Sequence, residues 1–258
     1  MESLTKKEQG QLLDCLLDMG ELLLDAGAEV SRVEDTLSRV GRAYGAGRMD
    51  VFVITSIISM TMEFPDADPM TETRRILSTG RTDFYRLEKL NALSRSCCVE
   101  PLPLTELRAR LDKVASGRKP FAMIFWGSVL AAASFAVFFG GDGWDALAAG
   151  VFGALIVLLQ DRLGRTQLNP VASNLLISLV VGLGVGLAAM LIPVLHMDMI
   201  LIGDIMLLIP GMAMTNAIRN MLVGNTISGV VRLAETLIWA GALAGGFMVA
   251  LLIVSQLS

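Results

Sequence analysis

The 258-residue sequence is short of the groups that most site chemistry uses. It holds one histidine, His196, and three cysteines, Cys15, Cys97 and Cys98. An odd count with one adjacent pair gives no disulfide framework. Cys97–Cys98 reads first as two small residues near a helix end, with redox sensing or a soft metal as the alternative. A tetrahedral metal centre needs three or four good ligands close together. With no CxxC or HExxH motif in the chain, no metal and no cofactor are expected. Nucleophile–base pairs, phosphate loops and paired carboxylates of diagnostic spacing are missing as well, so nothing points to an enzyme. A net charge of −4 and a pI of about 5.1 give a nucleic-acid partner no electrostatic support. The opening stretch MESLTKKEQGQLLDCLLDMG has no apolar core with a cleavage site, so a secreted protein is not expected.

Charge itself is scarce in the second half. Of 21 basic residues, 17 lie in residues 1–119; only Arg162, Arg165, Arg219 and Arg232 follow. Hydrophobic residues make up 53% of the chain and mean hydropathy is +0.61, which excludes a fully soluble enzyme. The pattern predicts an α-helical membrane protein. A small cytoplasmic α+β domain over residues 1–118 precedes a transmembrane domain over residues 119–258. Five helices are expected there, at about 121–140, 144–160, 171–195, 199–222 and 228–255, since roughly 20 apolar residues cross a bilayer. Arg118 and Lys119, Arg162 and Arg165, and Arg219 and Arg232 fall on one side of this five-span arrangement. By the positive-inside rule that side is cytoplasmic, which places the N-terminus inside and the C-terminus outside a cell membrane.

The first half reads as a helix over residues 5–27 with Leu12, Leu16, Met19 and Leu23 on one face. A capping box, Ser31-Arg32-Val33-Glu34, opens a second helix to about Tyr44. The β-branched run Val51–Met62 reads as one buried strand, with Thr71–Ser78 as a hairpin partner, and residues 83–97 and 103–116 read as helices. Arg32, Arg74, Arg75 and Arg81 could meet an anion, as could the polar face of Glu29, Arg32, Glu34 and Asp35. Solvated charge is the plain reading of both.

Glycine is concentrated in the apolar half. Gly182-Leu-Gly184-Val-Gly186 lacks the βαβ context of a dinucleotide loop and reads as close helix packing, and Gly241 and Gly245 share the GxxxG form. The methionines from Met197 to Met221 read as packing, with Cu(I) ligation the remote alternative. The fourth segment is the most informative. Asp204 lies early in it, and an ionisable residue within a span costs at least a few kcal/mol on insertion scales; function and snorkelling to the outer interface are the two readings. Pro210-Gly211 should then break the helix. Beyond the break come Thr215, Asn216 and Arg219, polar for a span. Glu235 and Arg232, one turn apart, form either an interfacial ion pair or part of a substrate path.

Several stretches carry a family likeness: Asp25-Ala-Gly-Ala-Glu-Val-Ser-Arg-Val-Glu-Asp-Thr36, Arg86-Leu-Glu-Lys-Leu-Asn91-Ala-Leu-Ser-Arg95, Ile209-Pro-Gly-Met-Ala-Met-Thr-Asn-Ala-Ile-Arg219 and Gly229-Val-Val-Arg-Leu-Ala-Glu-Thr236. In order and spacing the chain resembles the N-terminal-half module of the threonine/serine exporter family. Among its forms, the larger subunit of the split two-component form linked to succinate export is the most similar. The resemblance implies secondary export of small carboxylate-bearing metabolites, either threonine/serine-type amino acids or succinate-type dicarboxylates. It also implies a smaller membrane protein as the second transporter half; a homo-oligomer is the other arrangement. Within that frame, Pro210, Gly211, Thr215, Asn216 and Arg219 are the expected substrate-binding residues. Arg219 would pair bidentately with a carboxylate, and Asp204 or Glu235 would exchange a coupling proton. A membrane-anchored ligand sensor and a membrane scaffold without transport are the other function classes. The exporter reading expects polar residues of the third to fifth segments to line a cavity; the sensor reading expects a concave site within residues 1–115.

Overall fold

The computed structural model describes residues 4–65, 67–76, 82–117, 120–166 and 168–257. They are mostly helical and divide into two compact units. One joins Met1–Arg118 with Met212–Leu233; the other joins Lys119–Gly211 with Ala234–Ser258.

In the first unit, α1 (Lys6–Asp25) starts at a Thr5–Glu8 capping box and buries Leu12, Leu16, Met19 and Leu23, the face its periodicity marks. α2 (Val30–Ala43) starts two residues earlier than the local motif suggests. Its N-cap is Glu29, and the Ser31–Glu34 capping box does not form. The reason is tertiary: the Glu34 carboxylate accepts the Val53 backbone N–H at 2.9 Å, while Val30 and Val33 are drawn into the core. The β-branched run is two strands rather than one. β1 (Arg48–Ile54) and β2 (Ile57–Glu63) pair antiparallel around Thr55-Ser56, with Ile54 opposite Ile57. A continuous β-branched run carries no mark of its own fold-back when the turn lacks Asn or Gly. β3 (Met70–Arg75) completes the sheet against β2. Thr71–Arg75 therefore is the hairpin partner, and Leu77 and Ser78 lie outside the described residues.

α3 (Phe84–Val99) and α4 (Leu104–Ser116) close the core, with Leu90, Cys97, Leu107 and Leu111 fully or almost fully buried. The Tyr44 hydroxyl donates to the Leu102 carbonyl at 2.8 Å and ties α2 to the α3–α4 connection. Arg74 is not free to meet an anion, because it bridges Asp18 of α1, which Arg108 also bridges. Arg86 pairs with Asp25 at 3.1 Å. Arg81, Arg118 and Lys119 lie outside the described residues.

The apolar half supplies α5 (Phe121–Phe138), α6 (Gly143–Gly164), α7 (Pro170–Leu191), α8 (Met197–Leu208), α9 (Gly211–Leu222) and α10 (Thr226–Leu257). Four of these, α5, α6, α7 and α10, are long and apolar enough to cross a membrane. The bent pair α8 and α9 makes a fifth if it counts as one span; its axes differ by 50°. The break is where proline dictates it. Ile209, the residue before Pro210, is extended (φ −60°, ψ 127°), as the proline ring requires of its predecessor. α9 belongs to the first unit, and α10 passes from the first unit to the second after Leu233.

Small residues set the packing of the second unit. On α7, a Cβ at Gly182 would meet Phe247 and Ala250 of α10, and one at Gly186 would meet Val254. The glycine of α10 that allows this approach is Gly246, against the Leu175 carbonyl; Gly241 and Gly245 face open space. Gly203 of α8 lies against the Ala132 carbonyl of α5, which brings α8 close to that helix.

Candidate functional site

The Gly27–Ala28 corner between α1 and α2 organises the first unit's cavity. Gly27 turns the chain at φ +86°, a conformation that only glycine adopts freely. A Cβ there would also meet the Thr82 backbone at 3.1 Å. Gly27→Ala should therefore cost about 1–2 kcal/mol from the left-handed backbone alone. Thermal melts of the purified variant test this; an unchanged melting temperature would show that the corner tolerates strain.

Around this corner lies a cavity of about 300 Å³, at the lower end of small-molecule sites. Glu29, Arg32 and Thr36 reach it from α2 at spacings of three and four, so they share one helical face. Met212, Asn216 and Arg219 reach it from α9 in the same way. Asn91 of α3 and Thr82 complete the polar wall. Arg219 Nη1 lies 2.8 Å from Glu29 Oε1, and the two side chains are 54% and 16% exposed. Asn216 Nδ2 donates to the Gly27 carbonyl at 3.4 Å. A smaller cavity adjoins the same corner, and there Asn220 and Arg232 stand with Thr55. Asn220 is buried, and its Oδ1 has no hydrogen-bond partner among the described residues.

In the second unit Asp204 is fully buried, so it does not snorkel to a surface. It shares the inward face of α8 with Ile200, Gly203 and Leu208. Neither of its carboxylate oxygens has a hydrogen-bond partner among the described residues. Buried polar groups are almost always satisfied, so two orphaned oxygens on one carboxylate are an exception.

The expected substrate-binding residues thus separate. Asn216 and Arg219 line the larger cavity together. Pro210 and Gly211 form the break, and Thr215 is exposed; none of the three is in the described cavity wall. Glu235 is half-buried on α10.

Residues 14–254 match a family described as "Putative threonine/serine exporter". The chain belongs to the threonine/serine exporter family. It is 25% identical over 250 residues to a Mycobacterium tuberculosis protein named "Probable threonine/serine exporter", covering 93% of this chain and 46% of that protein. It is 24% identical over 235 residues to a Klebsiella aerogenes protein named "Probable succinate transporter subunit YjjP", covering 89% of this chain and 88% of that protein. No solved structure matches the chain.

For this exporter-family member, two features go beyond the sequence reading. One is the cavity face of α2. Glu29 and Arg32 read in the sequence as part of a polar face able to meet an anion, with solvated charge as the plain reading. The structure adds Thr36 and, from α9, Asn216 and Arg219, while Glu34 and Asp35 are not in the cavity wall. The other is a cluster at the start of α6. Asp142, Asp145 and His196 place potential metal-ligand atoms within 4.8 Å of one another. Their geometry is that of a helix cap. Asp145 is buried, accepts the His196 backbone N–H at 2.7 Å and meets its Nδ1 at 2.9 Å. It also completes a capping box with Asp142.

The contact with Asp145 raises the His196 pKa, the hydrogen bond being the larger cause and the carboxylate's charge the next. The folded chain therefore holds that proton more tightly than the unfolded chain. The stabilisation is complete below the ordinary histidine value of about 6.5 and is lost as pH rises through the raised value. Melting temperatures of wild type and His196→Gln should differ most below about pH 6.5 and converge only as pH rises through the raised value. A gap that widens with pH would contradict this pairing.

Proposed function

We propose that this chain is one subunit of a secondary exporter of small carboxylate-bearing metabolites. It exports threonine/serine-type amino acids or succinate-type dicarboxylates, is coupled to protons, and acts with a smaller membrane protein. The observation that carries the reading is the cavity in which Asn216 and Arg219, from the helix after the break, face Glu29 and Arg32. A guanidinium is the side chain best suited to hold a carboxylate, because its fork matches both oxygens. Freed backbone at membrane depth, as at Ile209–Gly211, is tolerated where it is buried in protein or lines water, and discontinuous helices recur at transporter binding sites.

In this reading α5, α6, α7, the α8–α9 pair and α10 are five spans, with the N-terminus cytoplasmic and the C-terminus outside. An odd number of spans would let a second module of similar fold insert with opposite orientation, and inverted repeats share a site at their interface. The relatives support a two-part arrangement: one is named a subunit, and the chain spans about half of the other. Asp204, or Glu235, exchanges the coupling proton.

The test is efflux. Cells preloaded with labelled threonine, serine or succinate should release one of them when this chain and its small partner are expressed together, and much less with either alone. Absence of efflux with both proteins in the membrane would overturn the reading. A ligand-sensing role is the second reading, because much of the cavity wall comes from residues 23–91. It predicts ligand binding without any efflux.

A further inference from the structure

Charges of both signs line the larger cavity, Glu29 against Arg32 and Arg219, and they bear on which of the two metabolite classes it accepts. Arg219 uses Nη1 on Glu29 Oε1, which leaves the rest of its donor fork for a second acceptor. A carboxylate likewise has acceptor sites on both oxygens, so Glu29 retains Oε2 for a further donor. Arg32 lines the same cavity and has no ion-pair partner among the described residues. Glu29 sits at the N-cap of α2 with its side chain mostly buried, and that side chain makes no capping hydrogen bond, so the carboxylate is turned to Arg219.

We infer that Glu29 is the specificity-determining residue of this cavity and selects a zwitterion over a dicarboxylate. This rests on the transport reading above. An amino acid closes a ring of alternating charge: its carboxylate meets the free edge of Arg219, with Arg32 adding to the field, and its ammonium meets the free oxygen of Glu29. Each of the four charges then lies beside two of opposite sign. A dicarboxylate has no such fit. Its first carboxylate takes the same place on Arg219, while its second is drawn to Arg32, leaves the free oxygen of Glu29 without a donor and stays in the field of that carboxylate. Setting like charges together in a partly desolvated site is a strong rejection, of about tenfold or more in affinity. Sequence spacing alone places Glu29 on a solvated polar face; its pairing with Arg219, 190 positions away, turns it into a wall of a binding site.

The experiment uses the full chain in lipid nanodiscs, with its partner when efflux requires one. Binding of L-threonine, N-acetyl-L-threonine and succinate is measured by calorimetry for wild type and Glu29→Gln. Wild type should bind L-threonine about tenfold or more tighter than succinate or the N-acetyl compound, which lacks the ammonium. In Glu29→Gln this ratio should collapse toward one, with succinate gaining and threonine losing, and Glu29→Asp should restore part of the preference. An unchanged ratio in a folded Glu29→Gln protein that still supports efflux overturns the specificity role and leaves the transport reading standing. Wild type that binds the N-acetyl compound as well as L-threonine overturns it without any variant. Wild type that binds none of the three and shows no efflux overturns both.

Discussion

Arg219→Ala will reduce efflux by about 10- to 100-fold, the loss expected when one charge-assisted hydrogen-bonding partner is removed from a substrate. Two effects combine in that number. The cavity loses the guanidinium that would hold a carboxylate, and Glu29, only 16% exposed, loses its ion-pair partner. An uncompensated, partly buried charge is destabilising in itself, so the single variant cannot separate binding from packing. The double variant Glu29→Ala/Arg219→Ala can. If Arg219 serves only to neutralise the Glu29 charge, removing both charges restores efflux. If Arg219 holds substrate, the double variant stays as inactive as the single one. Arg219→Lys should fall between, because it keeps the charge and loses the two-pronged geometry. The measurement is initial efflux rate in cells with matched membrane levels. Normal transport by Arg219→Ala would remove Arg219 from the binding site.

Asp204→Asn will abolish the response of transport to a pH gradient while leaving exchange of labelled for unlabelled substrate intact. An amide fills the same space but cannot take up and release a proton. The site also predicts an opposite effect on stability. Both oxygens of Asp204 are buried without a hydrogen-bond partner among the described residues, and leaving a buried polar group unsatisfied costs about 1–3 kcal/mol. Asp204→Leu should therefore raise the melting temperature while eliminating gradient-driven efflux. A gain in stability with a loss of function is the signature of a group kept for its chemistry. Reconstitution into vesicles with an imposed pH difference measures the first effect, and thermal melts measure the second. If Asp204→Asn still follows the gradient, Asp204 is not the coupling carboxylate, and Glu235→Gln becomes the variant that should lose the response.

Local features were legible wherever a residue's conformation depends on its immediate neighbours. Asn169 caps α7 with Pro170 at the first helical position, a start set by those two residues themselves. The break in the fourth apolar segment follows from the missing proline N–H and the restricted residue before it. Close packing at Gly182 and Gly186 follows from the absence of a side chain in an apolar helix, although which glycine of α10 answers them does not. The failures share one cause. The split of residues 51–62 into two strands depends on pairing across a turn with no sequence mark, and the Ser31–Glu34 box loses to a bond between Glu34 and a strand. In each case a contact made by folding outweighed a local preference of comparable size.

By itself the sequence determined an apolar half with helices able to cross a membrane, a charged half with its own helices and strands, and a kinked helix carrying Asn216 and Arg219. Hydrophobicity, charge placement and proline geometry are properties of single residues or short windows, so they can be read along the chain. Only the tertiary structure decided what Arg219 faces. Gly27 and Asn216 are 189 positions apart, and no local signal links them. The cavity exists because the α1–α2 corner and α9 fold into one unit. Burial determined the standing of Asp204 in the same way: it depends on α5 and α8 approaching at Gly203, where any larger residue would hold the helices apart.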